Sequence, residues 1–532
     1  MSAIESLKSL GRKLGLGAPT SSDPKTQAYI DFNREKWGGH KGSERNGVVL
    51  VGLFSDRPAI HCYSYIANRL ARRHGGVIRT FYFQKENIPD TAAVFASFGA
   101  EPGPALRILT ADERARAAEQ AGEIFRGLKT KWDAVNITID GVMLGDMIVD
   151  TYIRYLAKPA VILDDPDLLA TILDAVLIYQ ACRKYLATHK VLAVIPDHTV
   201  YTQCGILIRL ATIERIPVYT IQYGPRFLVR KLDYQLRRGE RRIQTLWPYY
   251  DYPGLFAALP PEEQECARER GRQGINDRLS GKIDQRILTN ISAYDSHGGD
   301  RLLKDTGRPR VLVLLHDFCD AAHLYRNMLF PDFMDWSTYL LERAVKTPFD
   351  WYAKPHPNNR LRSRAAMNAA NDRAVAELKE RYPAVTFLPP TASNRQLVDE
   401  GIAAMFTVHG TAAHEFAYMG VRVVNSGENP HWAYSFNLHA KSLAELDACI
   451  ANAADLPCKI SKADVEEFFY MYYGYMREHG SSDVHPIDEK LVPQHEMADR
   501  SATSDVFEDF MRSATPERDA AIDRYLEAAI PR

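Results

Sequence analysis

Glycine, histidine and hydroxyl groups follow an apolar segment in the second half of the chain, where their types and spacing fit phosphate binding. The segment from Ile402 to Val408 is strand-like, and His409, Gly410 and Thr411 follow it directly. A helix beginning at this point would present its first backbone N–H groups to a phosphate. Gly410 permits close approach of the backbone, and the Thr411 hydroxyl adds a further donor.

A second strand-like segment upstream ends in Lys354 and His356, each followed by a proline. Because the carboxyl ends of parallel strands meet at one edge of a sheet, we expect both side chains beside the Gly410 loop. Glu415, one turn into the predicted helix, is placed to accept hydrogen bonds from ribose hydroxyls, and an ordinary exposed helix position is the alternative. The set predicts a site for a nucleoside monophosphate or diphosphate.

Other candidates follow other strand-like segments. His316 comes after the first of these segments in the second half, where it would contact a transferred group or its leaving group. Glu428 and Asn429 would lie near a nucleobase or sugar, although turn chemistry explains Asn429 equally well. A transfer reaction that inverts configuration needs a general base. The candidates in the first half are Asp56, His61, Asp146, Asp197 and His198. A helix cap with no chemistry is the alternative for Asp56.

Composition narrows the class of protein. A chain of 532 residues favours two domains with extensions. The net charge of −1 gives no reason to expect a nucleic-acid partner. Seven scattered cysteines without a CxxC pair predict reduced thiols and no zinc site. No apolar run approaches the roughly 18 residues of a membrane span. The reduced thiols, with an N-terminus that lacks a signal-peptide core, lead us to expect a cytoplasmic protein.

Apolar segments alternate with helical ones, which predicts parallel sheets covered by helices. The strand-like segments are 48–54, 77–83, 134–139, 191–196 and 217–221, then 310–315, 351–354, 402–408 and 421–425. The acidic residues 164–167 are interpreted as a cap on the helix that begins near Leu168. The predicted division is an N-terminal extension (1–45), a Rossmann-like domain (46–228), a helical linker region (229–305), a second Rossmann-like domain (306–455) and C-terminal helices that pack back (456–532).

This plan is that of GT-B glycosyltransferases, in which two Rossmann-like domains face a central cleft. Four motifs follow one another in order: LHDFCDAAH at 315–323, KPHP at 354–357, VHGTAAHE at 408–415 and ENPH at 428–431. The set resembles bacterial capsule and surface-polysaccharide glycosyltransferases. More loosely, it is similar to Kdo- and sialic-acid-transferring enzymes with a His-Pro motif. The resemblance covers residues 310–440 well and 45–230 weakly.

The resemblance implies transfer of a sugar from a nucleotide-sugar donor, with a CMP-sugar favoured, to a surface glycan or lipid-linked acceptor. It places the donor on the second domain and the acceptor on the first. Without an Asp-x-Asp motif in a suitable loop, we expect no metal and no cofactor. Peripheral association with the inner face of the membrane is a family-level expectation. The alternatives are a CDP-polyol phosphotransferase of teichoic-acid type, a UDP-sugar 2-epimerase and a non-catalytic nucleotide- or glycan-binding module. The stereochemical outcome is left open.

Overall fold

The computed structural model describes most of the chain. The described residues are 24–52, 57–81, 91–103, 105–196, 198–222, 228–232, 249–280, 300–325, 327–357, 365–475, 484–486, 512 and 515–527. Among them, no helix combines the length and apolar character needed to cross a bilayer.

The first half of the chain forms an α/β unit around a four-stranded parallel sheet. Its elements in chain order are α1 (Pro24–Trp37), β1 (Val48–Gly52), α2 (Arg57–His74), β2 (Val77–Phe81), α3 (Thr91–Ser97), β3 (Ala100–Pro102), α4 (Ala111–Gly127), α5 (Lys131–Val135), β4 (Thr138–Ile139), β5 (Val142–Met143), α6 (Gly145–Tyr155), α7 (Pro166–Thr188), β6 (Val191–Ile195), α8 (Thr202–Ile213), β7 (Tyr219–Gln222) and β8 (Leu228–Lys231). The strand order is β3-β2-β1-β6, and a parallel bridge from Val194 to Val218 continues it.

Helices cover both faces of this sheet. Val48 and Leu50 of β1 pack into one buried cluster, and Val49 and Val51 pack into the other. Successive side chains of a strand point to opposite faces, so an uninterrupted apolar run is what a doubly covered strand requires. The sequence Val-Val-Leu-Val therefore specifies a central strand, as predicted.

Two segments of the first half differ from the sequence-based expectation. Residues 134–139 do not form a strand of the parallel sheet, because α5 occupies the start of this segment and the short β4 pairs antiparallel with β5. A capping box between Thr130 and Asp133 starts α5. Within the predicted N-terminal extension, α1 is a packed helix, since Tyr29 and Ile30 are buried in the core of the first half.

The second half contains a six-stranded parallel sheet. Its elements are α9 (Tyr252–Ala257), α10 (Pro261–Leu279), β9 (Arg310–Leu314), α11 (Phe333–Ala344), β10 (Asp350–Lys354), α12 (Ala365–Arg381), β11 (Thr386–Phe387), α13 (Asn394–Asp399), β12 (Ile402–Thr407), α14 (Ala412–Tyr418), β13 (Arg422–Ser426), β14 (Leu438–Ala440), α15 (Leu443–Ala451) and α16 (Lys462–Tyr470). The strand order is β11-β10-β9-β12-β13-β14. In order of appearance this is 3-2-1-4-5-6, the Rossmann order. The strand order of this second sheet and the 3-2-1-4 order of the first sheet together confirm the predicted GT-B fold of two Rossmann-like units.

The C-terminal segment contacts both halves. Phe468 of α16 is buried in a core of the second half. The strand β15 (Val484–Pro486) pairs antiparallel with β8. The last helix, α17 (Pro516–Glu527), buries Ile522 and Leu526 in the core of the first half. Arg69 of α2 holds α17 through ion pairs of 2.7 Å to Asp519 and 2.6 Å to Asp523.

Ion pairs also join the two halves directly. The Lys131 ammonium lies 3.0 Å from the Asp332 carboxylate and 2.6 Å from that of Asp335. Arg154 of α6 lies 3.2 Å from Asp320. The halves therefore meet along α5 and α6 on one side and the segment between β9 and α11 on the other.

Candidate functional site

The strand order of the second sheet fixes where a ligand would bind. In a sheet of this order, ligands bind outside the carboxyl ends of the strands where the chain reverses direction across the sheet. Here that switch point lies between the neighbouring strands β9 and β12. His316 follows β9 and His409 follows β12, and their ring centroids are 4.9 Å apart. The fold thus brings together two candidates that are 93 positions apart (409 minus 316) in the sequence.

Hydrogen bonds fix the orientation of the His316 ring. The backbone N–H of Val408 donates to His316 Nε2 at 3.2 Å, and the Thr407 hydroxyl lies 3.1 Å from the same atom. The ring also stacks on Phe333 with 4.4 Å between centroids. Burial, together with His409 and His356, holds the pKa of His316 well below its usual value. The ring is therefore neutral at neutral pH and carries its proton on Nδ1, which can donate to a ligand.

His409 is also held away from solvent. Burial lowers its pKa to about 4, so this ring is also neutral at neutral pH. Its Nε2 atom is buried and has no hydrogen-bond partner among the described residues. Buried polar atoms without partners are rare and call for a functional or solvent explanation.

Gly410 and Thr411 lie where the sequence predicts, at the start of α14. A Cβ on Gly410 would come within 2.9 Å of the Thr407 hydroxyl oxygen, so glycine is needed for close packing here. Thr411 has helical backbone angles of −63° and −23°, and its side chain makes no capping hydrogen bond. The Thr411 side chain therefore does not act as an ordinary cap of α14. Because α14 is only seven residues long, its dipole adds little.

Lys354 and His356 lie at the end of β10, next to β9. Lys354 is buried, and its ammonium donates to the Asn394 side-chain oxygen at 2.5 Å. Burial lowers its pKa to about 8, against a smaller opposing influence of Glu415. His356 is half-buried and near enough to contribute to the low pKa of His316. Lys354 is therefore not a solvated side chain, because it lies in the interior.

Three other predicted donor-site residues are held by protein partners. Glu415 is buried in an ion pair with Arg278 of α10, so it is not an exposed helix residue. Its contact with ribose hydroxyls stays a prediction, which this pairing does not support. Glu428 accepts hydrogen bonds from the Tyr249 hydroxyl and, at 2.8 Å, from Asn327.

Asn429 is closed into a turn. Its amide donates to the Gly427 carbonyl at 2.9 Å, and its side-chain oxygen accepts from the His431 N–H at 2.9 Å. The turn explanation weighed for Asn429 accounts for both of these contacts. Among the predicted donor-site residues, the switch point thus gathers His316, His409, Gly410 and Thr411, with Lys354 and His356 one strand away.

The structure does not bring the general-base candidates of the first half together at one site among the described residues. Asp146 is buried and paired with Arg209 at 2.8 and 2.6 Å, which gives it a structural partner. His198 is exposed and accepts from the Val200 N–H at 3.1 Å. Asp56, Asp197 and the side chain of His61 lie outside the described residues. Because Asp146 is engaged by Arg209, the general base stays unassigned among the other four.

The site contains a contact that the sequence did not predict. Asp150 of α6 lies 2.7 Å from His323, which belongs to the segment after β9. The two residues are 173 positions apart, and no spacing rule links them. The LHDFCDAAH motif did point to His323, but its partner in the first half carried no signal. Among the described residues, no group of three or more His, Cys, Asp or Glu side chains is arranged to hold a metal ion.

Comparison with known proteins gives weak structural matches. No family model and no curated sequence matches the chain. One similar solved structure is the KpsC beta-Kdo 2,4 transferase of Thermosulfurimonas dismutans, at 13% identity and a TM-score of 0.30, covering 53% of this chain and 79% of that one. The UDP-GlcNAc 2-epimerase of Neisseria meningitidis matches at 11% identity and a TM-score of 0.24, covering 88% of this chain and 99% of that one. The UDP-GlcNAc 2-epimerase of Methanocaldococcus jannaschii matches at 10% identity and a TM-score of 0.25, covering 80% of this chain and 99% of that one. At these values the matches assign no activity, and the residues of the site must carry the function.

Proposed function

We propose that the chain is a glycosyltransferase of GT-B plan that takes a sugar from a nucleotide-sugar bound at the β9–β12 switch point. The observation that carries the proposal is the convergence of His316, His409 and Gly410 at this point of a Rossmann-ordered sheet. Each follows the carboxyl end of one of the two strands that define the crevice. The internal hydrogen bonds of His316 engage Nε2 and leave Nδ1–H as the ligand-facing donor.

The chemistry of the leaving group fits this set. A departing nucleotide phosphate needs aligned donors or positive charge. The Nδ1–H of His316 and the backbone N–H groups after Gly410 would supply donors. Lys354, charged below a pKa of about 8, would supply a positive field from the neighbouring strand end. A reaction that needs neither a metal nor a cofactor is consistent with this arrangement.

The finer assignments rest on the resemblance of the motifs. A CMP-sugar is the favoured donor, and a bacterial surface glycan or lipid-linked glycan is the proposed acceptor, bound on the first half in the cytoplasm or at the inner face of the membrane. His61, Asp56, Asp197 and His198 remain the base candidates on that side. A CDP-polyol phosphotransferase would use the same histidines and differs in the donor.

The test is a binding panel of CMP, CDP, UDP, GDP and ADP, with and without Mg²⁺, read by thermal unfolding and calorimetry. A nucleotide at 100 times its Kd stabilises the fold by about 2.7 kcal/mol. Selective binding of CMP supports a CMP-sugar donor, CDP supports polyol-phosphate transfer, and UDP or GDP supports a hexose donor. Binding of none of the five contradicts the proposal.

A matched set of variants locates the site. His316→Gln keeps an acceptor for the Val408 N–H but removes the Nδ1–H donor, so we expect at least a tenfold loss of nucleotide affinity. The control is His189→Ala, because the wild-type His189 ring stacks on Tyr185 in the first half, with 4.0 Å between ring centroids. Equal affinities for the wild type and His316→Gln would show that the nucleotide binds elsewhere.

A further inference from the structure

A carboxylate of the first half is buried against the segment that His316 begins. Asp150 lies on α6 and is 0% exposed. Its Oδ1 accepts hydrogen bonds from the Ala322 N–H at 3.1 Å and from His323 Nδ1 at 2.7 Å. Its Oδ2 accepts from the His323 N–H at 3.3 Å. All three donors belong to two adjacent residues of the second half.

This burial makes sense only when the two halves are docked. A carboxylate removed from water is costly unless hydrogen bonds compensate for the lost hydration. Asp146, one turn earlier on α6, is compensated within its own half by Arg209. Asp150 instead draws these three hydrogen bonds from across the domain boundary. Undocking would return Asp150 to water and release the segment that it holds.

The segment from His316 to His323 is fixed from two sides. On the side of its own sheet, Asn371 of α12 accepts from the Phe318 N–H at 2.8 Å and donates to the Asp317 carboxylate at 2.8 Å. On the other side, α6 holds the end of the segment through Asp150. The segment is therefore anchored in both halves, in the first half by Asp150 and also by the ion pair between Arg154 and Asp320, and His316 stands at its start.

We propose that Asp150 is a positioning residue of the nucleotide site, which is completed across the domain boundary by a carboxylate of the first half. It acts through His323 on the segment that carries His316. The inference rests on the proposed function in naming the nucleotide as the ligand. Docking of the acceptor-side half and formation of the donor site are thereby coupled.

The orientation of His323 supports this coupling. Asp150 accepts from Nδ1, and the Nε2 atom of the same ring is buried without a hydrogen-bond partner among the described residues. His323 is also near enough to His409 to disfavour its charged form. The end of the segment thus reaches the same neighbourhood as its start, at the switch point.

Calorimetry on the full chain, with the nucleotide from the panel that binds most tightly, tests the inference. Asp150→Asn replaces one of the two acceptor oxygens by an amide N–H group, which then faces a donor of residue 322 or 323, and we expect at least a tenfold loss of affinity. His323→Ala should lose as much. His323→Asn puts an amide N–H near the position of Nδ1 and should stay within threefold of the wild type. Asp146→Asn is the matched carboxylate control, and it should also stay within threefold.

Hydrogen–deuterium exchange without nucleotide gives an independent measurement. Asp150→Asn should raise exchange in peptides covering residues 316–323, although the substitution is in the other half, and Thr151→Val should not. Thr151 neighbours Asp150 on α6, and its hydroxyl contacts Met147 and Thr202 of the first half. Unchanged exchange in that segment, or wild-type affinity in a folded Asp150→Asn protein, overturns the inference. Failure of the wild type to bind any nucleotide overturns the proposed function instead, and the exchange result still decides the coupling.

Discussion

Gly410→Ala perturbs the candidate site through a single contact. The added Cβ would lie 2.9 Å from the Thr407 hydroxyl oxygen and 3.8 Å from His316 Cε1. The first distance is too short for a carbon and an oxygen, so the Thr407 side chain must shift. That hydroxyl lies 3.1 Å from His316 Nε2, and the shift breaks the hydrogen bond between them. Through Thr407, the substitution therefore loosens His316.

The expected loss of nucleotide affinity follows from the free energy that one hydrogen bond contributes. Such a bond contributes about 0.5–1.5 kcal/mol, which is about a 2- to 12-fold change in an equilibrium constant. Thr407→Ala removes the same hydroxyl and leaves room for the new Cβ. Because both substitutions act on one contact, the double variant should lose about as much as Thr407→Ala alone, rather than the sum of the two.

The assay is nucleotide affinity by calorimetry for the wild type, the two single variants and the double variant. Gly127→Ala is the control, since a Cβ at this position in α4 meets nothing within 4 Å. Strictly additive losses would refute the argument that Thr407 connects Gly410 to His316. Wild-type affinity in Gly410→Ala would refute the steric argument itself.

Three further predictions concern charged groups. Arg278→Met removes the ion pair that Arg278 forms with the buried Glu415 and should cost up to about 3–5 kcal/mol in urea unfolding, whereas Arg183→Met, at an exposed pair, should cost less than about 1 kcal/mol. Burial lowers the pKa of Lys354 from 10.5 to about 8, so the unfolded chain holds this proton more tightly. The resulting loss of folding stability is fully present below pH 8 and is relieved as the pH rises toward 10.5, so the free energy of unfolding increases over this range. Lys354→Met should remove this increase when urea unfolding is compared at about pH 7 and pH 9.5. Arg69→Met removes the ion pairs that hold α17, so the backbone amides of α17 should undergo faster hydrogen–deuterium exchange. An unchanged exchange rate would show that apolar packing alone holds this helix.

Local patterns in the sequence predicted most of the two sheets. Uninterrupted apolar runs such as Val48 to Val51 can be satisfied only by a strand covered on both faces, and these runs became central strands. The cap at residues 164–167 is confirmed, because the Asp165 side chain accepts from the Asp167 N–H at 2.9 Å. Such features depend on neighbours within a few positions, which a sequence displays directly.

The prediction failed where a short apolar run had two interpretations. Residues 134–139 have the composition of a strand, yet Thr130 and Asp133 form a capping box that starts a helix. Periodicity does not distinguish the two over so few residues, and the cap was the better signal. Glu415 and Asp150 show a different limit. Their partners lie 137 and 173 positions away, so burial and pairing follow from the topology alone.

The protonation states at the switch point limit what the site can do. Burial keeps His316 and His409 neutral at neutral pH, with the pKa of His409 near 4. At neutral pH these rings therefore offer oriented N–H donors and acceptors to an ionised phosphate, and no positive charge. The positive field must then come from Lys354, whose own charge is weakened by burial as the pH approaches 8. A nucleotide held in this way depends more on the geometry of its donors than on Coulomb attraction. Geometry of this kind is what the contacts of Thr407 with His316 and of Asp150 with His323 control.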